Sequence, residues 1–231
     1  MRTANVLTHA LQDILHRLEN AAHAAGRPIP RLLAVSKTQP ADAVSALAGL
    51  GQRAFGENYV QEAAAKQDTL AQLGLEWHLI GHLQSNKAKD AASRFDWVQT
   101  VDRERLVHAL AKHREPERSP LSVLIQVNID DEASKHGCRP DEAAELATLI
   151  AAQPTLALRG VMVIPTPHAE VEARRPAFRH ARELFDSLAA QHPHVDTLSM
   201  GMSDDLEIAI AEGSTLVRVG TALFGARPRK N

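Results

Sequence analysis

The chain has 231 residues, 44% of them hydrophobic, and carries 26 Lys plus Arg against 28 Asp plus Glu for a formal net charge of −2. A chain so near neutrality lacks the clustered basic excess of nucleic-acid binders, and an aromatic content of 3% argues against a base-stacking platform. The size supports a real core in one large or two small domains. Cys138 is the single cysteine, which excludes an intramolecular disulfide and a cysteine zinc cluster and fits a reducing compartment. The leading Met1-Arg2-Thr3 opens no apolar signal run, and no stretch reaches the ~20 apolar residues of a membrane span. A soluble cytoplasmic protein is expected.

Val6, Leu7, Leu11, Ile14, Leu15 and Leu18 recur at helical spacing and predict a helix over residues 4–25, stopped by Gly26 and Pro28. From there onward, short runs rich in Val, Ile and Leu alternate with amphipathic stretches. Strands are predicted at 32–36, 53–55, 77–80, 97–101, 122–128, 158–164, 197–200 and 216–219. Helices are predicted at 41–50, 58–73, 86–94, 103–114, 140–152, 174–191 and 203–211. Gly51 and Gly74 follow helices, Asp102 and Ser203 are candidate caps, and Pro140 suits a first helical turn. Such alternation implies parallel strands with right-handed crossovers. Eight of them fit a closed (β/α)8 TIM barrel, a fold that typically needs ~250 residues. A doubly wound sheet would announce a glycine-rich turn after its first strand, whereas here Ser36-Lys37-Thr38-Gln39-Pro40 follows. One barrel domain over 1–231, with an extra N-terminal helix, is the predicted architecture.

The active face of such a barrel lies at the C-terminal ends of its strands, where this sequence concentrates polar residues. Lys37 follows the apolar run Leu32-Leu33-Ala34-Val35 and Ser36. Desolvation at a barrel mouth favours the neutral amine, the form that attacks an aldehyde; an ordinary solvated loop lysine is the alternative. Barrels often bind phosphate after strands seven and eight, where Gly201 with Ser203, and Gly220 with Thr221, supply amides and hydroxyls. Ordinary turn chemistry explains either stretch alone. Two on neighbouring strands, with a strand-one lysine, point to a phosphorylated aldehyde bound covalently. Arg218 shares the Gly220 face by alternation and is placed to donate to a pyridine nitrogen, keeping it unprotonated; an outer salt bridge is the alternative. No metal-ligand spacing occurs among the 12 histidines. His78 reads equally as a cavity residue or a structural one. The basic run Arg227-Pro228-Arg229-Lys230 reads as a frayed end.

The ordered segments AVSKTQP around Lys37, FGENYVQE from Phe55, EWHLIGHLQSNK from Glu76, VLIQVNIDDEASKHG from Val123, RGVMVIP from Arg159 and LSMGMSDDLEIAIAEGSTLVRVGTALFGAR from Leu198 span nearly the whole chain. By these motifs the sequence resembles the YggS/PROSC family of pyridoxal-phosphate homeostasis proteins. The resemblance implies a barrel similar to the N-terminal barrel of alanine racemase and pyridoxal 5′-phosphate (PLP) as a Schiff base on Lys37. It further implies phosphate contacts from Ser199, Gly201, Ser203, Gly220 and Thr221, with Arg218 near the pyridine nitrogen and Asn58 and Met200 lining the ring pocket. Gln39 stands where relatives often have a second lysine. Lys135, in the loop after strand five, matches a family lysine and is a candidate second site, with a surface loop lysine as its plainer reading.

Two roles then compete: a PLP carrier in vitamin B6 homeostasis without turnover, and a PLP-dependent racemase. A two-base racemase needs an acid/base on each face of the substrate carbon. Alanine racemase takes one from a further domain for which this sequence shows no room after strand eight, and the one tyrosine, Tyr59, falls at a helix start. A carrier is expected, with no catalytic residues, apo PLP-dependent enzymes as partners and a monomeric state. A class I aldolase, which also uses a barrel lysine, generally places it on a later strand.

Overall fold

In the computed structural model, which describes residues 4–132 and 135–225, the N-terminal helix α1 (Ala4–Ala25) lies outside the repeat that follows. Leu7, Leu11, Ile14, Leu18 and Ala22 form its buried stripe, a 3–4 residue spacing that faces one neighbour. Val6 and Leu15, expected on that stripe, fall to either side and stay exposed.

Eight parallel strands then close into a barrel in chain order, with the last pairing to the first. They are β1 (Arg31–Val35), β2 (Ala54–Glu57), β3 (Glu76–Leu79), β4 (Trp97–Val101), β5 (Leu121–Val127), β6 (Leu156–Val163), β7 (Thr197–Ser199) and β8 (Leu216–Val219). The outer layer comprises α2 (Ala41–Gly49), α3 (Val60–Thr69), α4 (Ala88–Arg94), α5 (Glu104–His113), α6 (Ala143–Ala151), α7 (Arg175–Gln191), α8 (Leu206–Ala211) and α9 (Thr221–Phe224). Helix α1 packs across α8 and α9. The tail 227–230 and Ser134 of the Lys135 loop lie outside the described residues.

Period-two alternation divides each strand between two cores. Outward residues such as Phe55, Leu79, Val98, Val123, Val161 and Val217 pack against helix residues including Leu47, Ala63, Leu110 and Phe178. Inward residues form small separate clusters: Leu33, Ala54 and Leu216 with Ile80, and Trp97, Leu124 and Met162. The lower barrel interior is therefore filled by side chains, as in other barrels of this class.

The predicted helix over 58–73 divides into α3 and a 3₁₀ turn, Ala71–Leu73, because Leu70 leaves helical geometry before Gly74 takes the left-handed region. Helix α8 starts two residues later than the Ser203 cap would place it, with Asp205 at its N-cap. Asp102 does not cap α5 either: Arg103 holds that position, and Asp102 pairs with its guanidinium instead. The four-residue α9 had no periodic signal to reveal it.

Candidate functional site

Lys37 sits one residue beyond the last bonded position of β1, in a turn closed by the Gln39 N–H donating to Ser36 O at 3.0 Å. Thr38, third residue of that turn, has φ +65, a conformation non-glycine residues rarely adopt. Its N–H donates to Glu62 Oε1 at 2.5 Å, which offsets the strain. Ser36 fixes the direction of its neighbour. Its N–H continues the ladder to Gly56 O at 2.9 Å, and its hydroxyl donates outward to Glu57 Oε1 at 2.6 Å. Its carbonyl also accepts from Lys66 Nζ of α3 at 2.7 Å. Ser36 is thus turned to the helix layer, and Lys37, half-buried, comes next at the C-terminal end of β1.

Lys66 is the keystone of this outer bracket. Besides Ser36 it donates to Glu57 Oε1 at 2.7 Å and Glu62 Oε1 at 2.9 Å, and both Lys66 and Glu57 are buried. Burial pushes the Glu57 carboxyl up from its ordinary value against the pull of Lys66 and Ser36. Its second oxygen, Oε2, has no partner. The sequence held a signal for Lys66, which follows Val60 and Ala63 at three-residue spacing on the buried stripe of α3.

Below the mouth, Arg218 points inward from β8, level with Leu33 on β1. It is 5% exposed and donates from Nη1 to Ser199 Oγ at 2.7 Å and from Nη2 to Val163 O at 2.9 Å, using two of its five donors. Burial lowers its pKa to about 10, partly opposed by Asp205, so the guanidinium stays cationic at neutral pH. The outer salt bridge considered from sequence does not form.

The loop after β7 is braced from two directions. Gly201 has φ +90, and a Cβ there would lie 2.6 Å from Ala209 Cβ of α8, so only glycine lets the loop cross the helix start. Asp205, buried, accepts from the Met202 N–H at 2.6 Å and from Arg174 Nη1 at 2.6 Å. Arg17 of α1 donates to Ser203 O at 3.0 Å and pairs with Glu207, so the added helix holds the loop as well. On the neighbouring strand, Gly220 caps α9 at close approach to Val35, where a Cβ would meet Val35 Cβ at 3.3 Å. Thr221 follows it, exposed.

The remaining sequence candidates divide. Asn58 is half-buried at the end of β2, beside Gly81. Ser199 is fully buried, its hydroxyl accepting from Arg218 and donating to Gln99 Oε1 at 2.7 Å. Met200 turns its buried side chain into the helix-side core, away from the barrel interior, so a ring-lining role for it would fall to the backbone. Lys135 bonds Ile164 O at 3.2 Å and Thr166 Oγ1 at 3.0 Å, with Glu132 at 3.3 Å and Asp130 at 3.8 Å. Sequence reading missed Gln99, Lys66, Asp205 and Arg174. Cys138 is buried with its thiol pushed up to about 12, first by burial and then by nearby carboxylates. Among the described residues, no helix is long and apolar enough to cross a membrane, and no cluster of His, Cys, Asp or Glu is arranged to hold a metal ion.

Comparison with known proteins agrees with this geometry. The alanine racemase N-terminal domain family matches residues 10–228. The pyridoxal phosphate homeostasis protein of Escherichia coli K12 is 49% identical over 228 residues, which cover 96% of this chain and 97% of that protein. The solved structure of an unknown protein from Bifidobacterium adolescentis is similar with a TM-score of 0.90 at 35% identity, over 96% of this chain and 95% of that one. PipY of Synechococcus elongatus, solved with PLP bound, is similar with a TM-score of 0.82 at 37% identity, over 95% and 100%. The chain belongs to the alanine racemase N-terminal domain family and, within it, to the pyridoxal phosphate homeostasis proteins.

Proposed function

We propose that this chain holds PLP covalently on Lys37 and serves intracellular PLP homeostasis as a carrier, without turning over a substrate of its own. The observation that carries the reading is the placement of Lys37. Ser36 is tied to the outer layer through its N–H, carbonyl and hydroxyl, which supports a Lys37 side chain turned toward the mouth above a buried arginine. Lys37 would hold the cofactor aldehyde as an imine, from which water would release it as aldehyde and an incoming amine would displace Lys37, as delivery requires.

The residues present fit the cofactor. Arg218 has donors to offer a pyridine nitrogen, and because it is cationic it disfavours a proton there. PLP supplies an electron sink for carbon chemistry when bound, and an unprotonated ring nitrogen weakens that sink. Gly201 and Ser203, with Gly220 and Thr221 at the start of α9, supply amides and hydroxyls for the phosphate. Asn58 flanks the ring. The PLP-bound PipY structure and the homeostasis proteins at 49% identity support the same cofactor.

The racemase alternative needs a second acid/base above the ring. Tyr59, the sole tyrosine, stands at the N-cap of α3 and is 63% exposed, which favours the carrier. With no second base drawn from another subunit, the proposed state is a monomer, and apo PLP-dependent enzymes are the proposed recipients. Absorbance tests the binding. The protein with PLP should show a visible band that Lys37→Ala abolishes. Racemisation assays on several amino acids at high protein concentration should show no robust turnover; turnover would overturn the carrier reading. Transfer of PLP to an apo-enzyme in the presence of a scavenger of free PLP should proceed from the loaded protein.

A further inference from the structure

Arg218 is the upper end of a buried chain of hydrogen bonds that runs down the barrel interior to the face opposite the mouth. Arg218 Nη1 meets Ser199 Oγ at 2.7 Å, and Ser199 Oγ meets Gln99 Oε1 at 2.7 Å. Gln99 Nε2 lies 2.9 Å from His78 Nδ1, and His78 Nε2 lies 2.6 Å from Glu76 Oε1. Arg31 Nη2 closes the chain on the same carboxylate oxygen at 2.6 Å. Ser199, Gln99 and His78 are fully buried. Trp97 stacks on the His78 ring at 5.1 Å with planes 7° apart, which fixes the ring orientation.

The two ends determine every proton between them. A guanidinium only donates and a carboxylate only accepts. Ser199 must therefore accept from Arg218, which sends its own hydrogen to Gln99 Oε1. The Gln99 amide then presents N–H to His78. Burial keeps the His78 ring neutral at neutral pH despite Glu76, so Nδ1 accepts and Nε2–H donates to Glu76. Flipping the amide would place the His78 Nε2 lone pair against the Glu76 carboxylate and leave the Ser199 hydrogen without an acceptor. The chain has one consistent polarity, with each donor pointing toward Glu76. Such aligned bonds reinforce one another in a dry interior.

We propose that Gln99 and His78 are positioning residues for Arg218: through Ser199 they hold the guanidinium in one orientation under the cofactor ring and so set the ring's electronic state. This rests on the reading of Arg218 as partner of the pyridine nitrogen. Neither residue touches the cofactor, and Gln99 is not distinguishable by sequence pattern from an ordinary polar strand residue.

Two variants of Gln99 separate positioning from packing. Gln99→Glu keeps an oxygen for Ser199 and drives His78 to a doubly protonated ring between two carboxylates. Gln99→Leu removes the acceptor of Ser199 and the donor to His78 together. The expected results with PLP are a visible band at the wild-type wavelength and affinity within about threefold for Gln99→Glu, against a displaced band and roughly tenfold weaker binding for Gln99→Leu. A packing role ranks them in the opposite order, since leucine is far easier to bury than a carboxylate. Should Gln99→Leu fail to fold, Ser199→Ala cuts the same link and is expected to displace the band in the same way. Nitrogen-15 NMR of the wild-type chain without cofactor supplies an independent readout: His78 should carry its proton on Nε2, with Nδ1 as acceptor. A proton on Nδ1, or a wild-type band in the Gln99→Leu and Ser199→Ala variants, overturns the proposal. Failure of wild type to give any band would instead refute cofactor binding, while the NMR result would still report on the hydrogen-bond chain.

Discussion

Removing Lys66 tests whether the outer bracket holds the Lys37 turn. In Lys66→Met, Glu57 keeps only the Ser36 hydroxyl as a partner, and its Oε2 is already orphaned in a fully buried position. Breaking a buried ion pair from one side costs about 3–5 kcal/mol, because the remaining charge is uncompensated. With a urea slope near ~3 kcal/mol/M, the unfolding midpoint of the cofactor-free chain should fall by about 1–2 M. The double variant Glu57→Leu with Lys66→Met removes both charges and should recover to within about 2 kcal/mol of wild type, the residue being lost bonds to Ser36. The deficit should also depend on pH. Burial raises the Glu57 carboxyl in the folded chain above its ordinary 4.5, so the penalty is absent below about 4.5 and grows as pH rises through the folded value. A single variant within 0.5 kcal/mol of wild type (roughly the scatter of surface substitutions), or a double variant worse than the single, would refute the reasoning.

Other outcomes follow from the same structure. Glu76 is drawn down to about 2: burial alone would raise it, but its hydrogen bond to His78 and the Arg31 guanidinium outweigh that. Its stabilisation is present above about pH 4.5 and lost as pH falls toward 2. The full span is worth at most ~3 kcal/mol, and solvent at this partly exposed carboxylate reduces it to about 1–2. Glu76→Gln should therefore flatten the stability curve over that window, which acid titration of the unfolding free energy checks. Arg17→Ala breaks an exposed pair with Glu207 and should cost no more than about 1 kcal/mol, yet it releases Ser203 O and should weaken PLP binding a few-fold in a fluorescence titration. Cys138, buried with its thiol near 12, should react with a thiol reagent at pH 8 only after unfolding.

The barrel was legible in the sequence because β1, β5, β6 and β8 carry runs of Val, Ile and Leu and the longer helices a 3–4 spacing, and the strands fall within two residues of their observed ends. The site was legible where chemistry is local. Lys37 follows an apolar run, and Gly201 with Ser203 and Gly220 with Thr221 are adjacent pairs. What escaped is what depends on pairing across the barrel. Gln99 reads as one polar residue in an apolar strand, and its partners Ser199 and His78 are 100 and 21 residues away. For Ser199 the resemblance implied a phosphate contact; the closure of β8 against β1 and β7 adds its bond to Arg218, which no local pattern announced. Lys66 shows the limit of a periodic rule: a charge on the buried stripe of a helix is a signal, but its meaning waits on finding Glu57 and Ser36 beneath it.

Peptide mapping after reduction locates the bond between PLP and the chain. The protein is loaded with PLP, reduced with borohydride, digested, and the phosphopyridoxyl group located by mass spectrometry. The account predicts the label on Lys37, and none on the remaining lysines at stoichiometric cofactor. A label carried by Lys135 or Lys66 in place of Lys37, or retained by Lys37→Ala at the wild-type level, would contradict it.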